Sequence, residues 1–421
     1  MKLKIWRQLR AWGMATVLML MFWPAANAQE SDLAEAQRLN DQVTQDYAAG
    51  CYAQAIPLAQ RALVIWEKAL GPEHPETANS LNRLAMLYYL TGVYAKAEPL
   101  LQRALAIREK ALGPEHPETA NSLNNLAGLY LVTGAYAKAI PLLQRLLAIR
   151  EKALGPEHPD TANVLNNLAG LYGVTGAYAK AEPLLERSLA IREKALGLAH
   201  PDTVASLNNL AGLYRDTGAY AKAEPLFERA LAIREKALGP EHPDTANSLN
   251  NLGMLYYATD AYAKAEPLYQ RALAINEKAL GSEHLNTANS LNNLAALYQA
   301  TGAYAKAEPL YQRSLAIREK ALGPEHPDTA NSLNGLAVLY FVTGAYAKAE
   351  PLLQRSLAIN ERALGPEHPN TVVALENLAG LYQAMGADAK AKPLLERVRA
   401  IRAKASGSGQ PDSAATPQPS R

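Results

Sequence analysis

One unit of 42 residues recurs through nearly the whole chain without losing register. Thr77, Thr119, Thr161, Thr203, Thr245, Thr287, Thr329 and Thr371 keep that interval, and so do all eight histidines, from His74 to His368. A fixed period of this size is the mark of a solenoid, in which each unit cannot bury its apolar face alone and stacks on its neighbours. Such an architecture favours binding over catalysis, because one motif copied many times offers no single place where unlike groups converge.

The unit Thr77 to Glu118 reads as two helices and a connector. Thr77 follows Pro75 and precedes an apolar-periodic run, so it is the expected N-cap. Leu81, Leu84, Ala85 and Tyr88 fall at i, i+3, i+4, i+7 and define one helical face. Gly92 ends that helix. Tyr94, Ala97, Leu101, Ala104, Leu105 and Leu112 form the expected buried face of a second, longer helix, with Pro99 near its start. Gly113 stops it, and Pro114 and Pro117 keep the link to the next unit extended. Asp260 replaces the usual turn glycine, and Ser282-Glu283-His284-Leu285 replaces the usual connector, so a local irregularity is expected there.

Small residues recur where the helices must approach: Ala85, Ala97 and Ala104, with counterparts Ala127, Ala139 and Ala181. This pattern resembles the tetratricopeptide repeat, with Leu81, Leu84, Ala85, Tyr88 on the first helix and Ala97, Leu101, Ala104 on the second. Phe227, Tyr269 and Tyr311 supply an aromatic at the site of Leu101. The longer unit, with Ala-Glu-Pro-Leu opening the second helix and Ile-Arg-Glu-Lys-Ala-Leu-Gly closing it, is similar to the repeats of kinesin light chains and their bacterial relatives. The resemblance covers about residues 33 to 405 and implies an all-α tetratricopeptide-repeat solenoid, a right-handed superhelix of about nine helical hairpins. Within a solenoid spanning 29–405, the first repeat (33–71) is degenerate, 77–370 is regular, and a terminal repeat occupies 371–405. Atypical end units are expected because they face water on one side.

The two ends are different kinds of sequence. Lys2, Lys4, Arg7 and Arg10 precede an apolar stretch from Ala11 to Phe22, and Ala26-Asn27-Ala28 offers small residues to a signal peptidase. Residues 1–28 are therefore expected to be an export signal, with an uncleaved membrane anchor as the alternative. Export places the chain in the periplasm or outside the cell, with no stable membrane insertion after cleavage. The chain carries a net +2, of which the leader supplies four positive charges, leaving the mature chain at −2. That balance gives no basic stripe for nucleic acid. The lone Cys51 forms no internal disulfide. Residues 406–421, rich in Ser, Gly, Pro, Gln and Ala, are expected to be a disordered tail.

The first helix carries a second stripe. Asn121, Asn124, Asn125, Gly128, Leu131 and Val132 fall at i, i+3, i+4, i+7, i+10, i+11, centred about 150° from the buried stripe. In a tetratricopeptide superhelix this face lines the concave groove, so the resemblance implies a surface for a protein or extended peptide. Its candidate residues are Asn82, Arg83, Asn124, Asn125, Asn166, Asn167, Asn208, Asn209, Arg215, Asn250, Asn251, Asn292 and Asn293. An amide offers both a donor and an acceptor, so a ladder of them can hold a peptide backbone. Beyond the ladder the copies differ: the site of Gly128 becomes Met86, Met254, Ala296 or Val338, and that of Leu131 becomes Tyr89, Gly173, Arg215, Tyr257, Gln299 or Phe341. The alternative is that the asparagines order turns between hairpins and the variable sites drift on a solvated face.

Catalytic and metal readings are set aside. Each histidine stands with one glutamate in its connector (Ala199-His200 lacks even that), and neighbouring copies lie a repeat apart, too far to share one ion. No phosphate loop, nucleophile elbow or His-Glu-x-x-His helix is present. No catalytic, cofactor-binding or metal residue is assigned, and the chain is expected to be a non-enzymatic binding scaffold. The rival expectation is an accessory subunit of an envelope assembly that docks through its convex face or end repeats. Kinesin light chains use basic groove residues for acidic-aromatic cargo; only Arg83 and Arg215 stand on this stripe, so that specificity is not carried over.

Overall fold

The computed structural model describes residues 29–407, so the expected leader and the tail from 408 onward lie outside the described residues. Every element there is helical. The first helices of successive hairpins are α1 (29–48), α3 (Pro75–Leu90), α5 (Pro117–Val132), α7 (Pro159–Val174), α9 (Pro201–Asp216), α11 (Pro243–Ala258), α13 (Leu285–Ala300), α15 (Pro327–Val342) and α17 (Pro369–Ala384). The second helices are α2 (Tyr52–Leu70), α4 (Tyr94–Leu112), α6 (Tyr136–Leu154), α8 (Tyr178–Leu196), α10 (Tyr220–Leu238), α12 (Tyr262–Leu280), α14 (Tyr304–Leu322), α16 (Tyr346–Ala363) and α18 (Asp388–Gly407). The chain divides into two compact units inside α5, one ending at Asn125 and one beginning at Leu126. No described helix is long and apolar enough to cross a membrane.

The helix starts differ from the sequence reading in one respect. The N-cap is the histidine, not the threonine. His74 Nδ1 accepts from the backbone N–H of Glu76, with Pro75 at the first helical position, where a missing N–H costs nothing. The same bond forms at His116, His158, His200, His242, His284, His326 and His368. The threonine sits one turn in and is fully buried. Its hydroxyl donates backwards to the glycine that ended the previous helix, as from Thr77 to Gly71 O (2.8 Å). A buried hydroxyl must find an acceptor, and here that acceptor ties one hairpin to the next. At the irregular turn Asp260 takes the left-handed conformation (φ 54°), its carboxylate accepting from Tyr262 Oη at 2.6 Å.

The core follows the predicted stripes. Leu81, Leu84, Ala85 and Tyr88 are buried, as are Tyr94, Ala97, Leu101 and Ala104, whereas Leu105 and Leu112 are only half-buried. Leu87, with its counterparts Leu129 to Leu381, is an additional buried position. Polar ties join successive hairpins. Tyr256 Oη donates to Glu224 (2.8 Å) and Tyr340 Oη to Glu308 (2.8 Å), while Lys264 and Lys348 sit over the same rings.

Within the second unit, neighbouring first helices touch each other, α7 with α9 and so on to α15 with α17. No contact of comparable extent joins neighbouring second helices among the described residues. The first helices of this unit therefore form its tighter, inner layer. This unit also returns upon itself. His368 Nε2 lies 3.0 Å from the carbonyl of Val132, far away in sequence, and packs against Gly134.

Candidate functional site

The predicted asparagine pairs sit on the first helices, but the two members of a pair do different things. In the second unit Asn166 and Asn250 are buried, and each donates from Nδ2 to a serine of the next repeat: Ser206 Oγ (3.0 Å) and Ser290 Oγ (3.1 Å). Asn208 and Asn292 are half-buried at the same rung. Asn166 and Asn250 are thus inter-repeat ties. For these two the expectation of an amide offered to a ligand gives way to that role, because the side chain points along the stack into a polar seam. Their neighbours Asn167 and Asn209 are exposed, and Asn251 and Asn293 half-buried, on the inner layer. In the first unit, Asn82 is half-buried with both amide atoms enclosed, Arg83 is exposed with Nη1 3.4 Å from Thr44 Oγ1, Asn124 is exposed and Asn125 half-buried.

The seam between repeats has a second component absent from the sequence reading. Arg192 is buried on α8, where Nη1 donates to Ser206 Oγ (2.8 Å) and to the carbonyl of Asp202 (2.7 Å), and Nη2 to Asn163 Oδ1. Arg108 repeats this with Ser122, the carbonyl of Glu118 and Asn79. Burial pulls the Arg192 guanidinium below its ordinary value, and the Asp202 charge opposes that pull. The sequence held a signal for this. An arginine at 108, 150, 192, 234 or 318 is followed ten residues on by Glu or Asp, while Asn276 and Asn360 are each followed by Asn.

Beyond the asparagines the inner layer changes character along the second unit. Space in front of Gly128, Gly170, Gly173 and Gly212 is open: a Cβ there would meet nothing within 4 Å. Farther along, the wall fills. Arg215 binds Asp216 Oδ1 through Nε (2.9 Å) and Nη2 (2.7 Å) and reaches Met254 Sδ. Tyr257 and Met254 are exposed beside it. The rings of Tyr269 and Tyr311, from α12 and α14, are buried. Tyr269 packs so tightly on Gly253 that a Cβ there would lie 2.6 Å from its ring, and Tyr311 packs likewise on Gly335 (2.9 Å). Burial pushes both phenols above their ordinary value, and Tyr257 acts on both in the same direction. Among the described residues no three His, Cys, Asp or Glu side chains converge as metal ligands.

The tetratricopeptide repeat family model matches residues 44–110, 79–145, 118–194, 202–278, 260–320, 286–361 and 328–404. Among solved structures, the chain is similar to the nearly identical TPR-like, kinesin light chain repeats of a Podosopora anserina protein (35% identity over 49% of this chain and 97% of that one, TM-score 0.44). It is also similar to BtubC (BKLC) from P. vanneervenii (25% identity, 59% and 94% covered, TM-score 0.45). A Rap protein complexed with Competence and Sporulation Factor shares the fold (17% identity, 89% and 99% covered, TM-score 0.56). No curated protein matches. The buried Leu-Leu-Ala-Tyr stripe, the stacked hairpins and a repeat match along most of the sequence place the chain in the tetratricopeptide repeat family.

Proposed function

We propose that the chain is a protein-interaction scaffold that binds extended segments of partner proteins along the inner layer of its second unit. The carrying observation is the recurrence of Asn209, Asn251 and Asn293 on that layer, each set off the buried stripe, beside open space at Gly170, Gly173 and Gly212. Amides at a regular interval can pair with the N–H and C=O groups of an extended chain whatever its side chains. Site-directed Asn209→Ala with Asn251→Ala removes two such rungs. Each neutral hydrogen bond contributes roughly 0.5–1.5 kcal/mol, so partner affinity in a pull-down or titration falls on the order of tenfold. Unchanged affinity sinks the reading.

A second reading rests on the first hairpin. Val64 on α2 is 63% exposed, beside a shallow cavity of about 530 Å³ lined by Glu35, Pro57, Gln60, Arg61, Val64 and Ile65. An exposed apolar end repeat suits docking into an envelope assembly. Val64→Glu abolishes association in that case and leaves groove binding untouched.

A further inference from the structure

The seams between hairpins copy one another closely, so a departure in one of them carries information. Four repeats before Asn360, the Arg192 guanidinium donates to Asn163 Oδ1, to the carbonyl of Asp202 and to Ser206 Oγ. The same register around Asn360 holds Asn331, Asn370 and Ala374. Two side chains are shorter there, an asparagine for the arginine and an alanine for the serine. From Arg108 to Asn360 no other seam is shortened at both places: Asn276 faces Ser290, and Val164 faces Arg150. The space so released is a cavity of about 40 Å³, and Asn331, Asn360, Asn370 and Ala374 all line it.

Asn360 is 2% exposed. Its Nδ2 donates to the carbonyl of Asn370 (3.3 Å), but its Oδ1 is enclosed and has no donor among the described residues. Ser356, also buried at the cavity, gives its hydroxyl proton to the carbonyl of Ala330 (3.0 Å) and keeps only lone pairs. A buried acceptor without a donor is costly, so the occupant that suits this cavity donates a hydrogen bond. It is also neutral. No residue lining the cavity is charged, and Asn370 stands where the Asp202 carboxylate offsets the burial of Arg192. A cation would lack its counter-charge, and an apolar guest would leave Asn360 Oδ1 unpaired. Water meets both conditions. It needs about 10–15 Å³ and two to four polar partners, and the asparagines supply them. Asn331 and Val373 are exposed at the rim, so the cavity is reached from solvent. We propose that the Asn360 seam is a water-binding site. One or two ordered molecules stand where a guanidinium stands in the arginine seams, donate to Asn360 Oδ1 and bridge it to Asn331 and Asn370. At this seam α15, α16 and α17 are thus joined through solvent rather than by an ion pair.

Crystals of the full chain, grown once from sodium salts and once from rubidium salts, test it at a resolution that orders solvent. Density is expected in both, about 2.7–3.2 Å from Asn360 Oδ1, with no anomalous signal from rubidium. A rubidium peak at that place makes it a cation site and overturns the proposal, and so does a cavity without density. A second measurement works in solution. Asn360→Arg with Asn370→Asp and Ala374→Ser rebuilds the arginine seam and displaces the water. Oxygen-17 relaxation dispersion of the solvent counts long-lived buried waters, and the unaltered chain is expected to hold one or two more than this variant. Ala374→Ser alone adds only the hydroxyl that most other seams carry, and displaces at least one molecule; it serves if the triple variant does not fold. An unchanged count in the folded variant overturns the site.

Discussion

At the scale of single residues, two positions meet across the second unit. Gly134 has φ +69° and lies where a Cβ would come within 2.9 Å of His368 Cδ2 and 3.3 Å of Pro369 Cδ. Gly176 has nearly the same backbone (φ +71°) with nothing within 4 Å. Alanine at either site bears the left-handed penalty of about 1–2 kcal/mol, but only Gly134→Ala adds a collision, typically about 1–3 kcal/mol. Denaturant midpoints should fall further for Gly134→Ala than for Gly176→Ala, and equal shifts would mean the contact is not held in solution. His368 itself ties this contact to pH. Its Nδ1 accepts from the Asn370 N–H (3.1 Å), so the ring proton sits on Nε2 and donates to Val132 O. A second proton would face the helix N–H it now accepts from. Burial holds His368 below its ordinary 6.5, against the opposing Val132 bond, and burial lowers His326 too, with Asp328 opposing and Arg318 assisting. A depressed histidine binds fewer protons folded than unfolded. Its contribution is therefore complete above pH 6.5 and is lost as pH falls through the lower folded value. The melting temperature should drop on acidification below that point. His326→Asn with His368→Asn, which replaces each capping ring nitrogen by an amide oxygen that cannot titrate, should flatten the drop, and an equally steep profile in that variant would remove the two rings from the pH response.

At the scale of elements, the seam between hairpins comes in two chemistries. Arg192 with Asp202, Arg234 with Asp244 (2.5 Å) and Arg318 with Asp328 use a guanidinium and an acid; Asn276 with Asn286, and Asn360 with Asn370, use neutral amides. At the neutral seam around Asn360 a cavity of about 40 Å³ remains, lined by Asn331, Asn334, Ser356 and Asn370 among others. Asn276→Arg alone brings a charge into the seam without its carboxylate, and a buried charge lacking its partner is destabilising. Asn286→Asp supplies that partner, so the double substitution should recover the loss. A double-mutant cycle is expected to give a coupling of about 1–3 kcal/mol, whereas additive effects would deny that the two positions act together. This pairing illustrates what could be read from sequence. Helix periodicity exposed Leu81, Leu84, Ala85 and Tyr88 because apolar side chains must share a face, a constraint local to one helix. The role of Arg192 crosses two helices and a connector, and a charged residue near the end of an amphipathic helix looks solvated by any one-helix rule. The asparagine pair was legible as a stripe, but not the turn of Asn166 and Asn250 towards the neighbouring serines, since adjacent positions on a helix differ by about 100° and stacking decides which is covered. The histidine cap was missed because Thr77 is the commoner capping residue, and only the placed helix start shows that Pro75 opens it.

At the scale of the whole molecule, export and modularity make separate predictions. If residues 1–28 are a cleaved leader, protein from the native host should begin at Gln29 by mass spectrometry, and an intact Met1 on a soluble product would refute cleavage. Modularity is the sharper test, because stability in a solenoid resides in nearest-neighbour interfaces. Removing residues 245–286 excises one complete period between equivalent points of α11 and α13, and Thr287 then takes the place of Thr245. The remaining first helix joins the same kind of connector, so every buried stripe still meets a matching neighbour. Helicity per residue should be unchanged, and the chain should still unfold cooperatively. One contact does not survive. Val132 and His368 are brought together by the full number of intervening repeats, and with one fewer the connector carrying His368 no longer comes round to the Val132 turn. In the shortened chain Gly134→Ala should therefore cost no more than Gly176→Ala, although it costs more in the full chain. The deletion thus separates two sources of order: repeat-to-repeat packing, which copies itself and tolerates removal, and the closure of the turn, which depends on the count. Global unfolding after the deletion would contradict the first, and a persisting extra cost at Gly134 would contradict the second.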